Sequence, residues 1–162
     1  MSTVFHTSRF GDIEVGEDRI LEFPTGIIGF PHMKRYVLLD HDRNMPFQWL
    51  QSLDHESLAF IVMDPNLFKP DYRVVLGPPD MAELGANSSE ELLLLVILTV
   101  PTSDPSRITA NLRGPIVVNR DTRKGKQMVL REELPTRFSI FPGGTGHSAS
   151  PPESEPVGAV NP

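Results

Sequence analysis

The sequence predicts an all-β fold, mostly antiparallel, forming a compact β-barrel-like single domain with one or two short helices. Three observations carry this. Apolar residues come in short runs broken by Gly, Pro, Asn and Asp, without the sustained 3.6-residue period of helices. The 16 prolines and 12 glycines leave little room for long helices. Short apolar runs at this spacing are the pattern of a barrel or sandwich.

From the N-terminus, residues 4–6 and 13–15 flank a polar turn containing Gly11, residues 20–23 end at Pro24, and residues 36–39 stop before DHDRN. Residues 47–50 and 58–63 follow, separated by SLDHES, and residues 72–76 alternate before the break at Gly77, Pro78 and Pro79. In FQWLQ, alternation puts Phe47, Trp49 and Gln51 on one face and Gln48 and Leu50 on the other. Both faces therefore carry an apolar group, which suits a covered sheet.

A short helix is predicted over residues 79–84. Proline suits a first helical turn, Asp80 and Glu83 favour its positive end, and Gly85 supplies a left-handed stop. Residues 92–100 then form a buried strand, since LLLLVIL is far short of the roughly 20 residues that a membrane helix needs. Strands at 107–112, 116–119 and 127–130 complete the domain. The last two are joined by RDTRKGK, in which Gly125 is able to take positive φ, and Arg120, Arg123, Lys124 and Lys126 are expected to decorate that hairpin tip.

Residues 1–141 are read as the folded domain and residues 142–162 as a disordered tail. The tail, rich in Pro, Ser and Gly, has too few large apolar residues to offset the entropy of ordering. The formal charge is −6, which disfavours a general affinity for nucleic acid. With no cysteine, disulfides, thiolate metal sites and a cysteine nucleophile are absent, as suits a reducing cytoplasm. The N-terminus shows no secretory pattern, so export is not expected.

Chemistry-bearing patterns are sparse. His6, His32, His41, His55 and His147 are scattered, and His55-Glu56 lacks the second histidine of a zinc motif, so neither a metal nor a cofactor is expected. His41, between Asp40 and Asp42, reads as a polar loop. Gly143 to Gly146 has no following Lys-Ser or Lys-Thr and reads as linker. Asp64 and Asp71, beside Pro65 and Pro70, offer one enzymatic alternative, a small hydrolase or carbohydrate-active barrel, although acids beside prolines usually make turns. A nucleic-acid module built on the basic hairpin and the aromatics is a third reading, opposed by the negative charge.

Five stretches together, SRFGDIEV (8–15), FPTGIIGF (23–30), FQWLQS (47–52), FIVMDPNLFKPDYRV (60–74) and ITANLRGPIVVNRDTRKGKQMVL (108–130), resemble the flagellar assembly factor FliW family. From about residue 134 the sequence no longer follows the family pattern. The resemblance implies a β-barrel-like protein of the bacterial cytoplasm with no catalytic activity and with two protein partners. One is the RNA-binding translational repressor CsrA, which family members antagonise. The other is flagellin, which they bind in a chaperone-like way. An acidic body is compatible with a cationic RNA-binding partner. For the contact itself the expected residues are Gln51, Asp54, Asp64, Asp71 and Tyr72, where polar groups on a supposedly exposed surface adjoin aromatic anchors.

Overall fold

A computed structural model describes residues 1–40 and 46–141. His41 and the segment 142–162, for which a polar loop and a tail are expected, lie outside the described residues. Strands β1 (Ser2–Thr7) and β2 (Gly11–Gly16) form an antiparallel hairpin, with Ser2 opposite Gly16 and Thr7 opposite Gly11. Its turn is held by Thr7, whose Oγ1 donates to the Gly11 carbonyl at 2.7 Å and accepts from the Phe10 N–H at 2.8 Å.

The remaining strands are β3 (Leu21–Glu22), β4 (Arg35–Asp40), β5 (Gln48–Ser52), β6 (Ala59–Met63), β7 (Leu92–Thr99), β8 (Thr109–Ala110), β9 (Ile116–Asn119), β10 (Gly125–Gln127) and β11 (Phe138–Ser139). They form one nine-stranded sheet in the order β10-β9-β7-β6-β5-β4-β3, with β8 branching from β7 and β11 pairing with β8. Every ladder is antiparallel. The sheet curls until its ends touch. At that seam the Glu22 N–H donates to the Arg123 carbonyl at 2.8 Å, beside an isolated bridge between Glu22 and Lys124. The fold is barrel-like in this sense, fastened at one rung.

Alternation builds a core on each face of the sheet. Phe23, Tyr36, Leu50, Phe60, Val62, Leu95 and Ile116 pack on one side, and Trp49, Ile61, Met63, Val96, Leu98 and Leu112 on the other. In β6, Phe60 and Val62 point into the first cluster and Ala59, Ile61 and Met63 into the second, so the whole strand is buried. A third cluster, Val15, Val37 and Leu53, seats the β1–β2 hairpin. Arg9 stacks over the Trp49 ring at 4.2 Å and adds a further tie.

The single α-helix among the described residues, α1 (Pro78–Leu84), starts one residue earlier than the sequence suggests and stops at Gly85, whose φ is +66°. Several expectations are corrected. Residues 72–76 belong to no strand. The predicted strand over 107–112 contracts to β8, because Asp104 caps a short 3-10 turn at Pro105–Arg107. No pattern in the sequence marks the short strand β11. Gly125 does not take positive φ; Arg123 does, at +64°. The glycine is needed instead because a Cβ there would lie 2.6 Å from Cζ of Phe23. With β10 beginning at Gly125, Lys126 sits within a strand and not in the hairpin tip.

Candidate protein-binding surface

The chain from Asp64 to Tyr72 is folded by its own side chains. β6 ends where Asp64 caps a 3-10 turn (Pro65–Leu67), accepting from the Asn66 N–H at 2.9 Å. Asn66 Nδ2 in turn donates to the carbonyls of Lys69 at 3.2 Å and Tyr72 at 3.0 Å. Lys69 pairs with Asp71 at 3.2 Å, and the hydrogen bond and charge of that ammonium hold the Asp71 carboxyl below the usual range. Stacking of Phe68 on Phe138, with centroids 5.8 Å apart, joins this loop to β11.

Tyr72 is buried, its hydroxyl donates to the Leu112 carbonyl at 2.6 Å, and burial pushes its phenol up to about 12. The expectation that it forms part of an exposed surface is therefore corrected. Gln51 is corrected likewise. It is fully buried, with Nε2 facing the carbonyls of Ser52, Glu56 and Leu58 at 3.0, 3.2 and 3.2 Å, which a β-strand residue can do only by turning its amide into the following loop. Neither side chain meets solvent enough to be a contact residue in this conformation.

Asp54 is committed elsewhere. It accepts from the backbone N–H groups of Lys34 at 2.9 Å and Arg35 at 3.0 Å and from Arg35 Nε at 2.9 Å, pinning the start of β4 to the end of β5. Burial alone would raise its carboxyl, but these donors and the Arg35 charge outweigh burial and hold it low. Asp54 and Asp71 both reach the surface, and Asp71 stands farther into solvent, its side chain 81% exposed against 24% for that of Asp54. Asp64 is half-buried and occupied as a cap. The two acids proposed for a hydrolase thus have separate duties, and Asp71, with a depressed carboxyl beside Lys69, is not disposed to act as a general acid.

The basic hairpin is also partly neutralised. Lys126 Nζ reaches Asp80 at 2.9 Å and also contacts Glu83, both on α1; burial works against its charge, and these two carboxylates more than compensate. At the other end of the helix, Asn119 Nδ2 and Thr122 Oγ1 donate to the Leu84 carbonyl at 2.9 and 2.8 Å. α1 is therefore clamped by the β9–β10 hairpin. No motif in the sequence signalled this pairing, since Lys126 and Asp80 are 46 positions apart.

Two concavities open on the surface. A cleft of about 470 Å³ lies between residues 73–76 and the strands β7 and β9, lined by Tyr72, Arg73, Val74, Leu76, Leu92, Leu94 and Val117. A groove of about 440 Å³ has Phe30, Phe60 and Ile97 at its base and Arg113 and Arg137 among its walls, with Ile28 and Val129 largely exposed beside it. Asp64 and Asp71 line neither. Among the described residues no group of His, Asp and Glu has the geometry of a metal site.

Comparison with known proteins agrees in one direction. The family model described as FliW protein matches residues 4–140. A flagellar assembly factor FliW of Natranaerobius thermophilus is 43% identical over 133 residues, covering 82% of this chain and 88% of the relative. That of Leptospira interrogans is 41% identical over 82% of this chain and 89% of the relative. A crystal structure of the flagellar assembly factor FliW superposes with a TM-score of 0.81 at 35% identity, covering 88% of this chain and all of that one.

Proposed function

The chain belongs to the FliW family of flagellar assembly factors, and from that premise we propose that it works by protein binding, without catalysis, in the bacterial cytoplasm. Its partners are a CsrA-type RNA-binding translational repressor, which it antagonises, and flagellin, which it binds in a chaperone-like way. When flagellin accumulates it occupies the factor; when flagellin leaves, the factor holds the repressor and flagellin translation resumes. The observation that carries this reading is the family match across residues 4–140. Charge supports it. The chain is acidic at −6, and Lys126 of the basic hairpin is paired with Asp80 and Glu83, which gives an attractive field for a cationic repressor.

Antagonism is proposed to act through a site beside the repressor's RNA surface, so that the two ligands are coupled and do not simply exclude each other. Copurification from a flagellated bacterium expressing both proteins tests the partners; recovery of neither overturns the reading. Calorimetric titration of the purified repressor at rising RNA concentrations tests the coupling. A plateau in apparent affinity is expected, and weakening without limit would falsify it in favour of competition.

A further inference from the structure

We propose that the cleft beneath residues 73–76 is a slot for an extended, apolar segment of a partner protein, which adds as a strand against β7. The inference deepens the protein-binding function proposed above and rests on it. Residues 72–76 have the alternation of a strand, with Val74 and Leu76 lining the cleft and Val75 87% exposed, yet among the described residues the backbone of 73–76 makes no hydrogen bond. Both ends of this strap are fixed, by the Tyr72 hydroxyl on Leu112 at one end and by the clamped helix α1 at the other. It runs beside the sheet without a ladder, with Val74 packed against the second core cluster.

The sheet has a matching vacancy in its ladder. β6 pairs with β7 only at Val62–Ile97 and Met63–Val96, then leaves at Asp64, and Pro65 brings no N–H to continue the ladder. The Asn119 N–H is given to the Lys124 carbonyl, on the side of β9 away from β7, so antiparallel alternation turns the N–H and C=O of its partner Leu92, and of Leu94, away from β9. The Leu92 N–H closes the short 3-10 turn before it, at Ser89. Leu94 is left with both backbone groups on the open side, in a residue that lines the cleft.

A free backbone edge beside an apolar floor takes an extended chain: the main chain supplies hydrogen bonds, and alternate side chains enter the pocket. Charge selects the occupant. Arg73 is the cation among the lining side chains and no carboxylate joins it, so the slot suits a neutral or acidic segment and disfavours a cationic RNA-binding protein. Within the proposed function that occupant is flagellin, and the repressor is left to bind elsewhere.

The test combines amide hydrogen exchange with calorimetry on the full chain, using purified monomeric flagellin and, separately, the purified repressor. Flagellin is expected to slow exchange of the Leu94 amide and of amides in 73–76 at least tenfold. Val74→Asp and Leu94→Asp are expected to weaken flagellin binding at least tenfold while leaving the repressor unaffected, with Val75→Asp as an outward-facing control. Flagellin binding without protection at Leu94 overturns the slot and leaves the proposed function standing. If flagellin does not bind at all in calorimetry, the flagellin half of that function fails, and the slot with it. Protection by the repressor, or by a second copy of this chain as concentration rises, overturns the assignment of the occupant. Because the exchange measurement uses the unaltered chain, misfolding of a variant does not rescue the proposal.

Discussion

The Tyr72 hydroxyl meets the Leu112 carbonyl at 2.6 Å across 40 positions of sequence, tying the loop after β6 to the segment between β8 and β9. Both residues are buried, so the oxygen has no water to turn to when the donor is lost. Tyr72→Phe is expected to cost about 1–3 kcal/mol, the penalty for an orphaned buried acceptor, read from urea unfolding. Loss of less than about 0.5 kcal/mol would show that the loop relaxes to let water in.

Gly125 lies against the Phe23 ring, where a methyl group would fall 2.6 Å from Cζ and 2.9 Å from two further ring carbons. The ring is fully buried between Tyr36 and β10 and cannot retreat. Gly125→Ala is expected to destabilise by about 1–3 kcal/mol through overpacking, measured as a lower melting temperature. An unchanged melting temperature would place the ring elsewhere in solution.

Asn119 is fully buried and serves two masters, donating to the Leu84 carbonyl and accepting from the Asp121 N–H at 2.9 Å. Asn119→Ala removes both interactions and is expected to cost about 1–3 kcal/mol, since the Thr122 hydroxyl still serves the Leu84 carbonyl and the Asp121 N–H lies near solvent. The same variant should speed amide exchange in α1. Uniform exchange with the parent would detach the helix from the hairpin.

Asp54 gives a pH signature. Its folded carboxyl lies below its unfolded value, so its stabilisation is fully present above the ordinary aspartate range near about 3.9 and is lost as pH falls from there through the folded value. Asp54→Asn should therefore flatten the stability profile below about pH 4 relative to the parent. Parallel acid profiles for parent and variant would remove Asp54 from the account.

Asp71 is the exposed acid left for electrostatic attraction, and its pairing with Lys69 is solvent-screened. Asp71→Lys is expected to leave folding intact and slow association with the repressor about threefold to tenfold at low salt, with the difference fading as salt rises. Equal association rates by stopped flow would exclude this loop from the encounter surface.

The strands legible in the sequence are those whose alternation is locally complete: β4, β5, β6, β7 and β9 stand within a residue or two of where the apolar runs place them. Residues 72–76 have the same alternation and no ladder, because pairing depends on a neighbouring strand that the local pattern does not report. β11 has two residues and is a strand only through β8, a contact no local pattern reports. The candidate site was less legible still. Gln51, Asp54 and Tyr72 are polar residues beside aromatics in sequence, but each turns polar atoms back onto the fold: the Gln51 and Tyr72 donors onto carbonyls, the Asp54 carboxylate onto N–H groups of Lys34 and Arg35. A one-dimensional pattern shows that a residue is polar, not whether its partner is water or backbone.

The seam at Glu22 gives the molecule a preferred line of parting. Elsewhere around the roll neighbouring strands share ladders of at least two residues, while here the strands meet at one isolated bridge, Glu22 with Lys124, helped by the Gln127 Oε1 accepting from the Ile28 N–H at 2.8 Å. A cylinder with one such rung loosens there before any ladder breaks. The exchange rate of the Glu22 amide is thus a clock for the breathing of the whole body, and a cross-link placed across the seam would stiffen the circumference without touching either core.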